Sequence, residues 1–173
     1  GEEATEVRRL FEELGLITGH DAAGRPVYDE THLGADQQER LFVRGVWQDG
    51  IGPALGISSD ERAEMNRFSD RMDDFKKQRG SDGRRVFCIP VDHSSRDPEW
   101  LMLDTITMEA WLAREGFNCE PLRWHVNYCC RDDYGAGMRD VSAWAALHYF
   151  AARDESEVLT WPEGNGWLVK RMM

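Results

Sequence analysis

Four side chains that could hold a metal ion lie close together in the sequence, at Cys119, His125, Cys129 and Cys130. On a helix His125 and Cys129 would share one face, because residues four apart are neighbours there, and imidazole and thiolate are ligands of Zn²⁺. Because Cys129 and Cys130 are alternatives for one position, the set has no clean fourth ligand, and free cysteine is among the most often buried residue types. We therefore expect no metal site. No two cysteines have CxxC spacing, so we interpret them as reduced thiols of a cytoplasmic protein.

A second stretch that could meet a ligand runs from Pro162 to Trp167 and carries Gly164, Asn165 and Gly166. Glycine lets a backbone approach a planar ring closely, and the amide of Asn165 can donate and accept hydrogen bonds. The same residues are also typical of an ordinary turn between a strand and a helix, where Gly and Asn supply positive φ angles. The residues alone leave both interpretations open.

Acidic and aromatic side chains stand together at the end of a predicted helix, at Asp132, Asp133 and Tyr134. Either carboxylate could hold a cationic amine on which Tyr134 stacks. Alternatively, this is a solvated last turn in which Arg131 complements the helix dipole. His148 in the next predicted helix poses a similar choice, since it could transfer protons or donate a hydrogen bond to a backbone carbonyl in the core.

The composition excludes several classes of function. The chain has 173 residues and a net charge of −11, which argues against binding to nucleic acid or to anionic lipid, because both need clustered Lys and Arg. No window approaches the roughly 20 apolar residues of a membrane span. The sequence also has no GxGxxG that opens a helix after a strand, no GxSxG, no P-loop lysine and no HExxH.

Hydrophobic periodicity and end signals predict an α+β fold that is mostly helical, with a few short strands in a small mixed or antiparallel sheet. Strands and helices do not alternate regularly, so a doubly wound parallel sheet is not expected. We expect residues 1–173 to form one domain. Helices are predicted at about 4–16, 59–79, 107–115, 121–132, 141–152 and from 167 onward. Ser58 and Glu61 have capping-box spacing, Thr107 can cap the helix at 107–115, and Asp140 or Ser142 can cap the helix at 141–152. The helix at 121–132 is apolar nearly all round, so we expect it to be central, and the glycines that begin at Gly135 end it. Strands are predicted at 26–28, at 39–48 with a possible bend at Gly45, and at 157–161, and 85–91 is predicted as a strand or an extended segment.

Four runs of the chain, at 7–16, 124–135, 142–150 and 161–168, resemble bacterial FAD-dependent oxidoreductases of the flavin amine oxidase and phytoene desaturase type. In that family the FAD-binding domain is split in sequence around a substrate-binding or cap region. The resemblance implies that this chain is that central region and lacks the Rossmann half that holds FAD. It also implies two partners, the FAD-binding domain of the same polypeptide and a small-molecule substrate. We expect the segment alone to bind no FAD and to be inactive.

The resemblance further implies which residues meet the substrate and the flavin. The implied substrate-binding residues are Trp124, Asp132, Tyr134, His148, Tyr149 and Trp161. The implied flavin-facing residues are Gly164, Asn165, Gly166 and Trp167. Because the isoalloxazine accepts the hydride, no catalytic side chain is demanded of this chain. The alternative is an independent, non-catalytic α+β module that binds a ligand or a protein through its Trp-rich surface.

Overall fold

The computed structural model describes residues 4–34, 39–153, 159–161 and 163–173. The chain forms two compact units, and each is described by itself. The larger unit is the stretch 39–153. The smaller unit combines residues 4–34 with the described residues from 159 onward. The expectation that residues 1–173 form one domain stays a prediction.

The predicted α+β fold is confirmed, and helices predominate. The helices are α1 (Thr5–Glu13), α2 (Ser59–Lys77), α3 (Pro98–Leu101), α4 (Met108–Arg114), α5 (Glu120–Tyr134), α6 (Ala143–Ala151) and α7 (Gly166–Met172). The strands are β1 (Ile17–His20), β2 (Pro26–Tyr28), β3 (Arg40–Val43) and β4 (Val46–Asp49). Short 3-10 turns lie at Glu30–His32, Val91–His93 and Met102–Thr105. Strands β1 and β2 pair antiparallel, and so do β3 and β4.

The helix ends follow the predicted caps. Ser58 accepts a hydrogen bond from the backbone N–H of Glu61 at 3.2 Å, and the Glu61 carboxylate accepts the Ser58 N–H at 2.7 Å, so the predicted capping box is confirmed. Thr107 caps α4, as predicted. Of the two residues proposed to cap α6, Ser142 does so, through a bond from the N–H of Ala145.

Aromatic rings from several elements form the core of the larger unit. Phe75 of α2 contacts Phe87 and Trp111, with ring centroids 5.6 and 6.2 Å apart. Phe117 stacks on Trp111 at 5.8 Å. Aromatic pairs of this kind stabilise a core beyond the area that they bury. This core fixes α5 and α6, which carry five of the six implied substrate-binding residues.

Of the two interpretations of 85–91, a strand or an extended segment, the strand is wrong, because Arg85 makes only an isolated bridge with Arg79. Val86, Phe87 and Cys88 are buried as an apolar run should be, but they make no ladder with another strand of the described residues. Their backbone N–H groups bond to loop residues instead. Val86 N–H donates to the carbonyl of Gln78 at 3.0 Å, and Cys88 N–H donates to Ser94 Oγ at 2.9 Å. A short apolar run is therefore compatible with a buried loop as well as with a strand.

The segment 39–48, predicted as a strand with a possible bend at Gly45, is a hairpin, with Arg44 and Gly45 in the turn at φ angles of 52° and 83°. Two positive φ angles suit a two-residue hairpin turn, but arginine rarely adopts one. The side chain of Arg44 holds that turn by donating to the carbonyl of Gly56 at 2.7 Å. Of the predicted strand at 157–161, residues 157 and 158 lie outside the described ones, and the described remainder makes only an isolated antiparallel bridge, between Leu159 and Leu33.

Candidate functional site

A surface pocket of about 560 Å³ lies along one side of α5 in the larger unit. Its residues on α5 follow helical spacing, so they share one face of the helix. They are Glu120, Arg123, Trp124, Asn127 and Arg131. The loop 137–140 and Asn118 complete the lining. The expectation that this helix is central and apolar nearly all round is therefore wrong for this side of α5, where Trp124 is 42% exposed.

The start of α5 is held by a residue from another helix. Glu64 of α2 accepts hydrogen bonds from the backbone N–H groups of Asn118 and Cys119, the latter at 2.7 Å. Cys119 is the N-cap of α5, so Glu64 anchors the two residues that lead into the helix. At the other end Gly135 adopts a φ of 66° and its N–H donates to the carbonyl of Arg131. The two ends fix the stretch of α5 that faces the pocket.

The opposite wall of the pocket depends on Asn127. Its Oδ1 accepts a hydrogen bond from the backbone N–H of Met138 at 3.1 Å, which holds the loop 137–140 against α5. A Cβ on Gly137 would lie 2.9 Å from that same oxygen. Glycine at 137 therefore allows the loop to approach the helix closely enough for the bond to form.

Two arginines of the pocket converge on one carboxylate oxygen. Oε1 of Glu109, on α4, accepts a hydrogen bond from Arg123 Nη2 at 2.8 Å and one from Arg139 Nε at 3.1 Å. Each guanidinium has further N–H groups that this contact does not use. Arg131 is exposed, and no carboxylate of the described residues forms an ion pair with it. The pocket therefore offers planar cationic donors on a chain whose net charge is −11.

The residues at the end of α5 are engaged with neighbours. Asp133 pairs with Arg153 through contacts of 2.9 and 2.6 Å, and the Arg153 guanidinium lies 4.0 Å from the ring centroid of Tyr149. The hydroxyl of Tyr134 donates to the carbonyl of Ala145 at 2.7 Å. Of the two carboxylates that could hold an amine, Asp133 thus already has a cationic partner, whereas Asp132 is exposed to solvent.

His148 lies on the side of α6 that faces the core. Its Nε2 is 2.7 Å from the backbone carbonyl of Cys88, and its ring stacks on Trp144 at 5.1 Å. Burial lowers the pKa of His148 below its ordinary value of 6.5, and the bond to Cys88 opposes that shift only in part. The neutral imidazole therefore donates from Nε2 to the carbonyl. Of the two interpretations offered by the sequence, this geometry favours the structural one.

The cysteine and histidine of α5 form a close but unreactive pair. Cys129 Sγ lies 3.9 Å from His125 Nε2. Burial raises the pKa of the Cys129 thiol to about 11, and burial also lowers the pKa of His125. Both shifts favour the neutral forms, whereas a nucleophilic cysteine needs a lowered pKa. No group of three or more potential ligands stands close enough to hold a metal ion within the described residues.

The glycine loop lies in the smaller unit. Gly164 adopts a φ of 74° and its N–H donates to the carbonyl of Trp161 at 2.8 Å. Trp161 stacks on Trp167 at 5.6 Å, and Trp167 is only 9% exposed. Asn165 precedes α7 and makes no side-chain capping bond. The loop thus forms a tight turn before α7 with a positive φ at Gly164, and Gly164, Asn165 and Gly166 are exposed. Pro162 lies outside the described residues.

Comparisons with protein-family models, with curated proteins and with solved structures give no match to this chain. The resemblance to flavin-dependent oxidoreductases therefore stays a prediction. Among the residues that the structure describes, no helix is both long and apolar enough to cross a membrane.

Most of the pocket on α5 was not predicted from the sequence. Of its lining residues only Trp124 was among the predicted site residues, and the arginines at 123, 131 and 139 were not. The spacing of the polar residues along α5 was a signal that could have indicated a common face. No sequence pattern indicated that the loop 137–140 packs against that face of α5.

Proposed function

We propose that this chain is the substrate-binding region of a FAD-dependent oxidoreductase of the amine oxidase type, acting in the cytoplasm. The FAD would be held by a domain encoded on the same polypeptide. The four runs that resemble this family support the proposal, and they lie in both compact units. The four cysteines are free, as expected of a protein in a reducing compartment.

The observation that carries the proposal is the open backbone of the glycine loop. A Cβ placed on Gly164 or on Gly166 would meet no atom within 4 Å. A flat ring system can therefore approach this backbone without displacing a side chain. Asn165, between the two glycines, is exposed and free of a capping bond, so its amide is available to the ring or to the substrate.

The residues present fit one part of FAD and not another. The loop suits close approach to the isoalloxazine, but the described chain offers no glycine-rich turn between a strand and a helix for the pyrophosphate. When bound, the flavin would accept the hydride that leaves the substrate. This chain would supply part of the pocket wall, and the exposed amide of Asn165 would orient the substrate beside the ring.

A substitution in the glycine loop tests the proposal. In the complete flavin-bearing product of the gene, Gly166→Val adds a branched side chain to the open space, at a position whose φ is not positive. We expect a shifted flavin absorption spectrum and slower reduction of the flavin by substrate. Gly52→Val is the matched control, because its Cβ also meets nothing within 4 Å. Unchanged spectrum and reduction rate in Gly166→Val would contradict the proposed role of the loop.

A non-catalytic binding module is the second candidate. It is favoured by the aromatic core that residues 39–153 form among themselves and by the pocket on α5, neither of which calls for a flavin. A complete gene product that binds no FAD but binds a small molecule in this pocket would support this second function over the first.

A further inference from the structure

We propose that the pocket on α5 binds a small planar aromatic carboxylate. The carboxylate would be held by Arg131 together with Arg123 and Arg139, and the ring would lie against Trp124. The inference goes beyond the proposed flavin function and does not depend on it, since all residues involved belong to the larger unit.

The preference for a carboxylate follows from the guanidinium groups. Arginine presents a planar fork of N–H donors that matches a carboxylate, and such charge-assisted bonds are stronger than neutral ones. Glu109 positions two of these groups in advance, with its single Oε1 at 2.8 Å from Arg123 and 3.1 Å from Arg139. Donors held in place before binding lose less conformational freedom when the ligand arrives. Arg131 has no such carboxylate partner among the described residues and is free to turn to the ligand.

The preference for a flat ring follows from Trp124. This side chain is 42% exposed and lines the pocket. Tyr128 lies one helical turn later and stacks on it, with centroids 5.7 Å apart and planes 16° from parallel. The stack holds the indole in one orientation, so it offers a rigid surface on which a second aromatic ring can pack.

The remaining lining residues limit the ligand's charge. Glu120 and Asp140 also border the pocket, and with Glu109 they balance the three arginines. A multiply charged anion such as a phosphate would be repelled by these acids, whereas a single carboxylate can reach the arginines with less opposition. The pocket volume of about 560 Å³ is within the range of small-molecule sites.

The test is an NMR titration of the 173-residue chain with benzoate, followed at the indole N–H of Trp124. Two matched probes separate the parts of the ligand: acetate has the charge without the ring, and benzyl alcohol has the ring without the charge. We expect saturable binding of benzoate that shifts the Trp124 signal, and binding at least about tenfold weaker for either partial probe. The Trp124 signal is assigned by its loss in Trp124→Leu.

Variants make the test specific. Arg131→Gln removes the charge from an exposed side chain and should weaken benzoate binding about tenfold. Arg114→Gln is the control, because Arg114 is a similarly exposed arginine that does not line the pocket. The inference is overturned if benzoate does not bind, if it binds without moving the Trp124 signal, if Arg131→Gln binds as tightly as the wild type, or if Arg114→Gln weakens binding equally. Equal affinity for acetate or benzyl alcohol would also overturn it.

Discussion

Replacing His148 by alanine should destabilise the larger unit substantially. The substitution removes the 2.7 Å bond to the carbonyl of Cys88, which keeps the longer contact of 3.4 Å from the Ser94 hydroxyl, at a cost of about 1–2 kcal/mol. It also removes the ring that stacks on Trp144 at 5.1 Å and meets Phe87 edge-on at 6.2 Å, and such contacts contribute about 0.5–1.5 kcal/mol each. We expect the free energy of unfolding to fall by about 2–4 kcal/mol, allowing for partial relaxation around the site.

Urea denaturation followed by circular dichroism and tryptophan fluorescence measures this loss. His148→Gln keeps an N–H donor for the carbonyl and loses only the ring contacts, so its destabilisation should be smaller, at about 1 kcal/mol. His93→Ala, at an exposed position of a 3-10 turn, is the matched control and should change stability by less than about 0.5 kcal/mol. If His148→Ala is as stable as the His93 control, the structural role assigned to His148 is refuted.

The stability of the chain should depend on pH through two buried histidines. Burial lowers the pKa of His125 and His148 in the folded chain, so below about pH 6.5 the unfolded chain binds more protons than the folded chain. Urea titrations should therefore give a lower free energy of unfolding at about pH 5.5 than at about pH 7.5, and the same pH dependence in His148→Gln would contradict the contribution of His148. Because burial raises the pKa of Cys129 to about 11, iodoacetamide should modify this thiol only on unfolding, and rapid labelling of the folded protein, located by peptide mass spectrometry, would count against the assignment. Glu64→Ala removes the hydrogen-bond acceptor at the start of α5 and should lower the free energy of unfolding, measured by chemical denaturation, by about 1–2 kcal/mol. Glu64→Gln keeps an acceptor oxygen and should lower it less. Equal stability of Glu64→Ala and the wild type would show that these hydrogen bonds are unimportant.

Local signals in the sequence predicted the helices well. The capping box at Ser58 and Glu61, the threonine cap at Thr107 and the glycine after α5 act within a few residues of the chain, so they are legible without the fold. The segment 85–91 shows the limit of such signals. Its apolar residues were typical of a strand, but its geometry as a loop is set by hydrogen bonds with Gln78 and Ser94, which the local sequence does not indicate.

The candidate pocket depended on contacts between distant parts of the chain. Arg123 and Arg139 are brought together by Glu109 of another helix, and the loop wall is held by the bond from Met138 to Asn127. None of these pairings leaves a pattern in the spacing of residues. Conversely, the sequence offered His125 and Cys129 as possible ligands, and their proximity is real, but burial keeps both neutral.

Visible absorption spectroscopy tests the central proposal most directly. The spectrum of the complete product of the gene that encodes these residues is compared with the spectrum of the 173-residue chain. Both proteins are purified after incubation with FAD and freed of unbound cofactor. We expect flavin bands in the complete product and none in the shorter chain, because the turn that holds the pyrophosphate is not among its described elements. A complete product without flavin bands would contradict the proposed function, and bands in the shorter chain would contradict the assignment of the FAD-binding site to another domain.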